Sequence, residues 1–456
     1  MMLIYQIGRL DSGAFNPIKF EVNGKEYTAQ LSSFALRQSF LENGEASKVI
    51  LIYPVSLFLN KSLSNKNNPQ TQNIPIDFKK VIESILYNKA ERFNYLSNPY
   101  PYFAKHPHSK EADEFIVIHS IGQYEGINFS ATLEELILEI FIDMVKRYQD
   151  EPFSELYLDI SSGHNIYTSA LLEAGRLFLT FYKLQNFLTK GKELNVFITF
   201  SDPILPPYER TFKIHKGFLL EVKVFFSYPE KPYEYSLRQG YMKFAGELAK
   251  ENREIKRDLN DLFSYGKFFY SAIKNNIPLV LYTQAYHSEE RINEGLQILI
   301  KLVKDSLTQN YQNTPKLNFD LFRKAFLMLA IYKGITEVLK TYKIAKKEEV
   351  SISELREKFV EENKSLYKYF GLVQNRNYLS QEIKNNFDRN KDKFEKEYKL
   401  LREYIGGESE DFNPRNFFAH CGFERNSIYV RKDGEEILVK YREDRLEEIA
   451  KILMEY

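Results

Sequence analysis

Tryptophan is absent from the 456 residues, and cysteine occurs once, as Cys421. A lone thiol can build neither an internal disulfide framework nor a cysteine-based zinc site, and it suits a reducing, intracellular setting. Excess charge of either sign is missing too. The 63 lysines and arginines nearly balance the 62 aspartates and glutamates, so no global basic field holds long nucleic acid against salt, and any such contact must be local. The longest apolar run, Ala325 to Tyr332, is less than half of the ~20 residues a membrane-spanning helix needs. Met1-Met2-Leu3-Ile4-Tyr5-Gln6-Ile7-Gly8 is a β-like run without the basic head and small-residue cleavage site of a signal peptide. A cytoplasmic protein with no membrane partner is expected. Neither a Gly-x-Gly-x-x-Gly turn after a strand nor a Walker phosphate loop occurs, so dinucleotide redox chemistry and nucleotide hydrolysis lose support.

Hydrophobic residues at 43% and charged residues at 27% are the profile of a folded protein, and the length predicts two or three domains. Residues 2 to 8, Val49 to Tyr53 and Phe115 to His119 read as continuous apolar strands of a sheet covered on both faces. An Asn23-Gly24 hairpin lies between the first two. Asn60 to Gln72 is polar and loop-like, Ile76 to Tyr87 is helical, and a proline-containing loop is expected to about Lys110. Thr132 to Tyr148 reads as a helix. Glu155 to Ile160 reads as a strand leading into Ser161-Ser162-Gly163-His164-Asn165 and a long helix, whose Ile166, Ala170, Ala174, Leu177, Phe178 and Phe181 recur at helical spacing. Leu194 to Phe200, Arg210 to His215 and Leu219 to Phe226 are strand-like. Strands alternating with helices imply a largely parallel, doubly wound, Rossmann-like sheet.

That alternation stops at Ser227 to Pro232, the expected domain boundary. Helices are then expected at Ser236 to Lys274 with a break near Gly266, and at Ser288 to Leu307, Phe319 to Thr341, Ile352 to Tyr369 and Gln381 to Tyr404. A hairpin over Ile428 to Tyr441, turned by Asp433-Gly434, and a last helix from Arg442 complete the chain. The fold class is thus α/β plus all-α: a Rossmann-like domain over 1–228, a helical linker region over 229–310, and a mainly helical domain with a small C-terminal β-hairpin over 311–456.

Two stretches carry the chemistry. Asn413-Pro414-Arg415-Asn416-Phe417-Phe418-Ala419-His420-Cys421-Gly422 reads as a self-contained short helix, with Asn413 as N-cap, Pro414 at the first position and Gly422 as a left-handed stop. Arg415, Asn416 and His420 sit on this one rigid piece. An imidazole can move a proton at neutral pH, and a guanidinium can neutralise charge on a phosphorane. Because RNA supplies its own 2′-hydroxyl nucleophile, no metal is required and the products would carry 2′,3′-cyclic phosphates. A structural histidine beside a surface arginine is the competing reading. The Arg-x4-His spacing recurs at Arg210 and His215, but there the residues alternate as in a strand. Cys421 is expected to pack, since adjacent helix residues point about 100° apart and a Cys-His pair is disfavoured. The second stretch, Ser161 to Asn165, lies between a strand and a helix start, where exposed amides attract phosphate; an ordinary helix cap is its competing reading. His106 and His108 suggest a metal pair without a second cluster, and His119, His215 and His287 read as structural.

Taken together, these residues resemble the CARF–HEPN ribonucleases, ancillary effectors of type III CRISPR systems of the Csx/Csm type. The order matches across essentially the whole chain, and Asn416 fits the family's preference for a polar residue after the arginine. Asp159 to Asn165 looks like the family's strand-to-helix ligand loop, and Gly8 to Gly13 is similar to its first-strand loop. The resemblance implies that Gly8, Arg9, Ser12, Ser161, Ser162, Gly163, His164, Asn165 and Thr168 bind a cyclic oligoadenylate activator, expected to be cyclic tetra-adenylate, with no cofactor. It implies a homodimer, or dimers assembled further, in which paired Arg415, Asn416 and His420 cleave single-stranded RNA. Long insertions at about 60 to 75 and 90 to 112 depart from a minimal member. Two other classes stay open: a ligand-sensing DNA-binding transcription regulator, which needs a compact basic recognition helix where this chain has mixed charges, and an enzyme degrading the cyclic oligoadenylate itself through His164.

Overall fold

The computed structural model of the protein describes residues 1–64, 73–188, 193–204, 210–223, 225, 252–307, 310–311, 317–406 and 411–455. They form two compact units. One comprises Met1–Thr180, Gly191–Val222 and Ile300–Asp320; the other comprises Phe181–Lys190, Lys223–Leu299 and Leu321–Tyr456. The expected boundary at Ser227 to Pro232 lies outside the described residues.

In the first unit, β1 (Met2–Ile7), β2 (Ile18–Val22), β3 (Lys25–Ala29), β4 (Ser47–Pro54), β5 (Glu114–Ile118), β8 (Glu155–Asp159), β9 (Asn195–Ser201) and β10 (Thr211–Leu219) form one sheet in the order β3-β2-β10-β9-β8-β1-β4-β5. The five strands β9, β8, β1, β4 and β5 are all parallel, and β10 runs antiparallel to β9. Two-residue alternation sends Ile4, Leu51, Tyr53 and Val117 to one face. There they meet Phe34 and Phe40 of α1 (Ser32–Glu42) and Ile82 and Ile85 of α2 (Ile76–Tyr87). Neighbouring strand residues face the other way: Tyr5 donates its hydroxyl to Asp143 of α4 (Leu133–Asp150) at 2.7 Å, and Leu158 packs under Gly175 of α5 (Asn165–Gln185). The doubly covered parallel sheet is therefore as expected, and Asn23 and Gly24 both take positive φ in the β2–β3 turn.

Three expectations in this unit need correction. The proline-containing loop to Lys110 is helical: α3 (Lys89–Ser97) and two short pieces, Tyr100–Phe103 and Pro107–Glu111, each start on a cap or a proline position that tolerates the missing donor. A hairpin of β6 (Ile121–Tyr124) and β7 (Ile127–Ser130) was not expected. One strand, β10, replaces the expected pair over Arg210 to Phe226, because its register shifts between His215 and Phe218 and it carries on to Leu219.

The second unit is mainly helical. α6 (Arg253–Lys274) is unbroken at Gly266, where Met328 and Tyr332 pack so close that a methyl group would clash; the glycine serves a helix contact, not a break. α7 (Glu289–Leu307), whose residues from Ile300 belong to the first unit, and α8 (Phe319–Thr341), which enters the second unit at Leu321, follow as expected. The single helices expected at Ile352 to Tyr369 and Gln381 to Tyr404 are each interrupted. The first becomes a short helix with a π turn over Arg356–Val360 and a separate turn over Leu366–Phe370. The second becomes α9 (Val373–Asn386), a two-residue strand β12 (Lys399–Leu400) and a short helix. A four-stranded sheet forms in the order β11-β14-β13-β12, from β11 (Val350–Ser351), β12, β13 (Ile428–Asp433) and β14 (Glu436–Tyr441). The expected hairpin is its centre. α10 (Pro414–Ala419) and α11 (Leu446–Glu455) flank that hairpin in the chain.

Candidate functional site

In the first unit a cavity of about 680 Å³ opens at the carboxyl ends of β1, β4 and β8. This is where a parallel sheet binds ligands: chain order reverses between β1 and β8, leaving a crevice that no connection fills. Gly8 to Asp11 form one wall, Gly163, His164 and Asn165 a second, and Pro54, Ser56 and Asn60 a third. The two glycines make the close approach possible. Gly163 takes φ +111°, and a methyl group there would lie 2.7 Å from Ile7; one at Gly8 would penetrate the Tyr53 ring.

The predicted ligand residues divide into two groups. Gly8, Arg9, Gly163, His164 and Asn165 line the cavity, whereas Ser161, Ser162 and Thr168 do not. Ser161 Oγ accepts the Ser201 amide at 2.8 Å, and its own amide donates to Asp159 at 2.9 Å. Ser162 donates to the Ile7 carbonyl at 2.9 Å and accepts from Gln6 at 3.0 Å. These serines brace the loop from behind. Thr168 is half-buried one helical turn into α5, and the Ser12 side chain lies outside the described residues. Arg9 is committed to a two-point pair with Asp11, at 3.1 and 3.0 Å.

Sequence reasoning missed the wall formed by Gln123, Tyr124, Glu125 and Tyr167. Its signal was Glu125-Gly126, a positive-φ turn between two short alternating runs. Glu125 brings a carboxylate to this wall, but Lys61 neutralises it at 2.9 Å. The helical 89–111 segment also serves the site. His106 contacts the Arg9 carbonyl at 3.0 Å, and Ser109 donates to the Tyr53 hydroxyl at 3.1 Å beneath Gly8. His106 and His108 are fully buried among Tyr53, Phe15 and Phe58, so they are props and not a metal pair. Burial, then the neighbouring His108, holds the His106 imidazole well below its usual range and keeps it neutral.

In the second unit α10 forms as the sequence predicts: Asn413 Oδ1 accepts the Asn416 amide at 3.1 Å, and Pro414 opens the helix. Phe417 is fully buried against Phe412 and Tyr441, which anchors one face. Arg415, Asn416 and His420 are left exposed. The helix ends at Ala419, so His420 is its C-cap, with its amide donating to the Asn416 carbonyl at 3.0 Å. Cys421 and Gly422 both turn left-handed, at φ +55° and +82°. A methyl group at Gly422 would collide with Ile277 and lie 2.7 Å from the Tyr441 hydroxyl.

Arg415 is exposed, and among the described residues its guanidinium makes no hydrogen bond or ion pair. His420 is held: its Nδ1 lies 3.1 Å from Glu382 of α9, a residue sequence reasoning did not single out. Thirty-eight positions separate the two, and no local motif joins them. Cys421 is buried, accepts from Asn276 at 3.2 Å, and has its thiol pushed up to about 12 by burial and by the Glu382 charge, which rules it out as a nucleophile at neutral pH. His215 and His287, without recognisable partners in the sequence, find Asp202 and Asp261, each at 2.8 Å.

Residues 2–203 match the family model described as the CARF domain of the CRISPR system endoribonuclease Csx1, and residues 372–443 match the one described as its HEPN domain. The first match spans all the cavity residues named above, and the second spans Glu382, Arg415 and His420. No curated protein matches the chain. Among the described residues no helix is long and apolar enough to cross a membrane.

Proposed function

The chain belongs to the CARF–HEPN endoribonucleases of CRISPR systems, and on that premise we propose that it is a metal-independent endoribonuclease for single-stranded RNA, switched on by a cyclic oligoadenylate. The observation that carries the catalytic half is the exposure of Arg415 and of His420 on one capped, anchored helix. His420 Nε2 takes the proton of a 2′-hydroxyl as that oxygen attacks the adjacent phosphorus. Arg415 neutralises the oxygens that gain charge, and the strand breaks with a 2′,3′-cyclic phosphate on one side and a 5′-hydroxyl on the other. Asn416 supplies a further donor beside the phosphate. A second copy contributes its own Arg415 and His420, so one imidazole can accept the proton while the other protonates the leaving oxygen.

The glycine-walled crevice is the binding site for the activator, which we assign as cyclic tetra-adenylate. Backbone approach at Gly8 and Gly163 and the amides at the start of α5 suit phosphate, and Tyr124, half-buried on the facing wall, offers an aromatic contact for a base. A ring with two-fold symmetry matches two copies of this crevice in a homodimer. Activation follows if the ring binds the cleaving arrangement more tightly than the resting one. The test is cleavage of a fluorescent single-stranded RNA in EDTA with cyclic tri-, tetra- or hexa-adenylate. Activation by the tetra-adenylate, with cyclic-phosphate ends, is expected; cleavage that needs a divalent ion would overturn the mechanism, and activation by another ring alone would overturn the ligand.

A further inference from the structure

Four histidines of the described residues pair with a carboxylate, and they use the pair differently. His119 contacts Glu139 through Nδ1, but both are buried and its Nε2 faces protein. His215 gives Nε2 to Asp202, and His287 has both nitrogens engaged, by Tyr332 and Asp261. Only His420 presents Nδ1 to a carboxylate while its ring stays accessible: its side chain is 48% exposed, against 18% for Glu382. The carboxylate is itself fixed, because Glu382 Oε2 also accepts from Asn386 Nδ2 at 3.0 Å, one turn along α9. Leu379 and Ile383, both fully buried, three residues before and one after Glu382 on the same stripe of α9, anchor that face of the helix in the core.

From this geometry we propose that Glu382 is the positioning residue of the RNA-cleaving site: it holds His420 as the Nδ1–H tautomer, with Nε2 turned outward to exchange the proton. The inference rests on the assignment of His420 as the proton-transfer group. A carboxylate that accepts from one ring nitrogen leaves the lone pair on the other and orients the ring, so the base meets the 2′-hydroxyl ready to accept. Once Nε2 is protonated, the same carboxylate lies beside the imidazolium. Asn386 keeps the carboxylate from rotating away.

The test compares full-length Glu382→Gln, Glu382→Ala and Glu382→Asp proteins by RNA cleavage, and by nitrogen-15 spectra of histidine-labelled protein in which His420→Ala identifies the resonance. Glu382→Gln and Glu382→Ala should lower kcat by about ten- to a hundredfold with KM unchanged, and Glu382→Asp should recover part of it. The His420 signals should move from mainly Nδ1–H towards mainly Nε2–H in Glu382→Ala. Unchanged tautomer signals and unchanged kcat in Glu382→Ala would overturn the positioning role. If His420→Ala cleaves like the parent while Glu382→Ala still moves the tautomer, the catalytic reading fails and the pairing stands. Unaltered melting of Glu382→Gln separates a positioning effect from misfolding; a kcat loss that tracks lost melting temperature alone would also overturn the proposal.

Discussion

The crevice in the first unit and the α10 helix in the second are built on opposite principles. The crevice is made of backbone: two glycines let strand ends and a helix start crowd together, and the serines next to them face inward to hold the loop. The α10 site is made of side chains: one buried phenylalanine fixes a six-residue helix, and the polar groups stand in solvent. A backbone-built site should fail by shape, through any added atom, while leaving chemistry elsewhere untouched. A side-chain-built site should fail by function, through loss of one group, while the fold survives.

Replacing His420 by alanine should cut RNA cleavage by about 10²–10⁴-fold, with cyclic tetra-adenylate binding, measured by calorimetry, unchanged; weakened binding would break the separation. Gly163→Ala should weaken activator binding and leave cleavage at saturating activator intact. Its φ and its contact with Ile7 cost about 3 kcal/mol, read as roughly hundredfold weaker activator binding or as a lowered melting temperature; wild-type binding would show that the loop has room. Gly422→Ala is the mixed case, because a backbone turn there holds a side-chain site. About 2 kcal/mol of stability should be lost, together with cleavage, and stability lost without cleavage would detach the turn from the site.

Asp159→Asn tests stability against function at the crevice. Burial raises the Asp159 carboxyl above its usual range, against hydrogen bonds from Ser161 and Ser32 that lower it. A raised acid favours folding below its unfolded pKa and penalises it as pH rises through the folded value. Because Oδ1 still accepts the Ser161 amide, removing the charge should raise the melting temperature at pH 7 by ~2 °C, a gain that disappears in acid, where Asp159 is itself protonated. The smallest effect is on Cys421. With its thiol pushed up to about 12, mass spectrometry should find it unalkylated by iodoacetamide at pH 8 in the folded protein and alkylated after denaturation.

Where a segment's pattern was dictated locally, the chain was legible. The continuous apolar runs of β1, β4 and β5 read as strands buried on both faces, α2 begins and ends where its periodicity does, and Asn413 with Pro414 marks the start of α10 without any tertiary help. Misreadings fell where two local rules conflict. The prolines at 99, 101 and 107 suggested a loop, yet each lies at a helix start or within its first turn. Gly266 suggested a break but admits Met328 and Tyr332. The run after Gln381 kept a helical composition that packing divided among α9, β12 and a short helix.

Sequence alone determined the Rossmann-like and helical classes, the position of Gly8 to Gly13 and of Ser161 to Asn165 at strand ends, and the short capped helix that carries Arg415 and His420, because caps, prolines, glycines and hydrophobic period act within a few residues. Only the tertiary structure decided which of the predicted loop residues face the crevice and which brace it, since neighbouring serines and glycines differ in direction and not in type. It alone brought the β6–β7 turn to the crevice and Glu382 to His420. A contact across thirty-eight positions depends on how two helices pack, and no periodicity along the chain carries that distance.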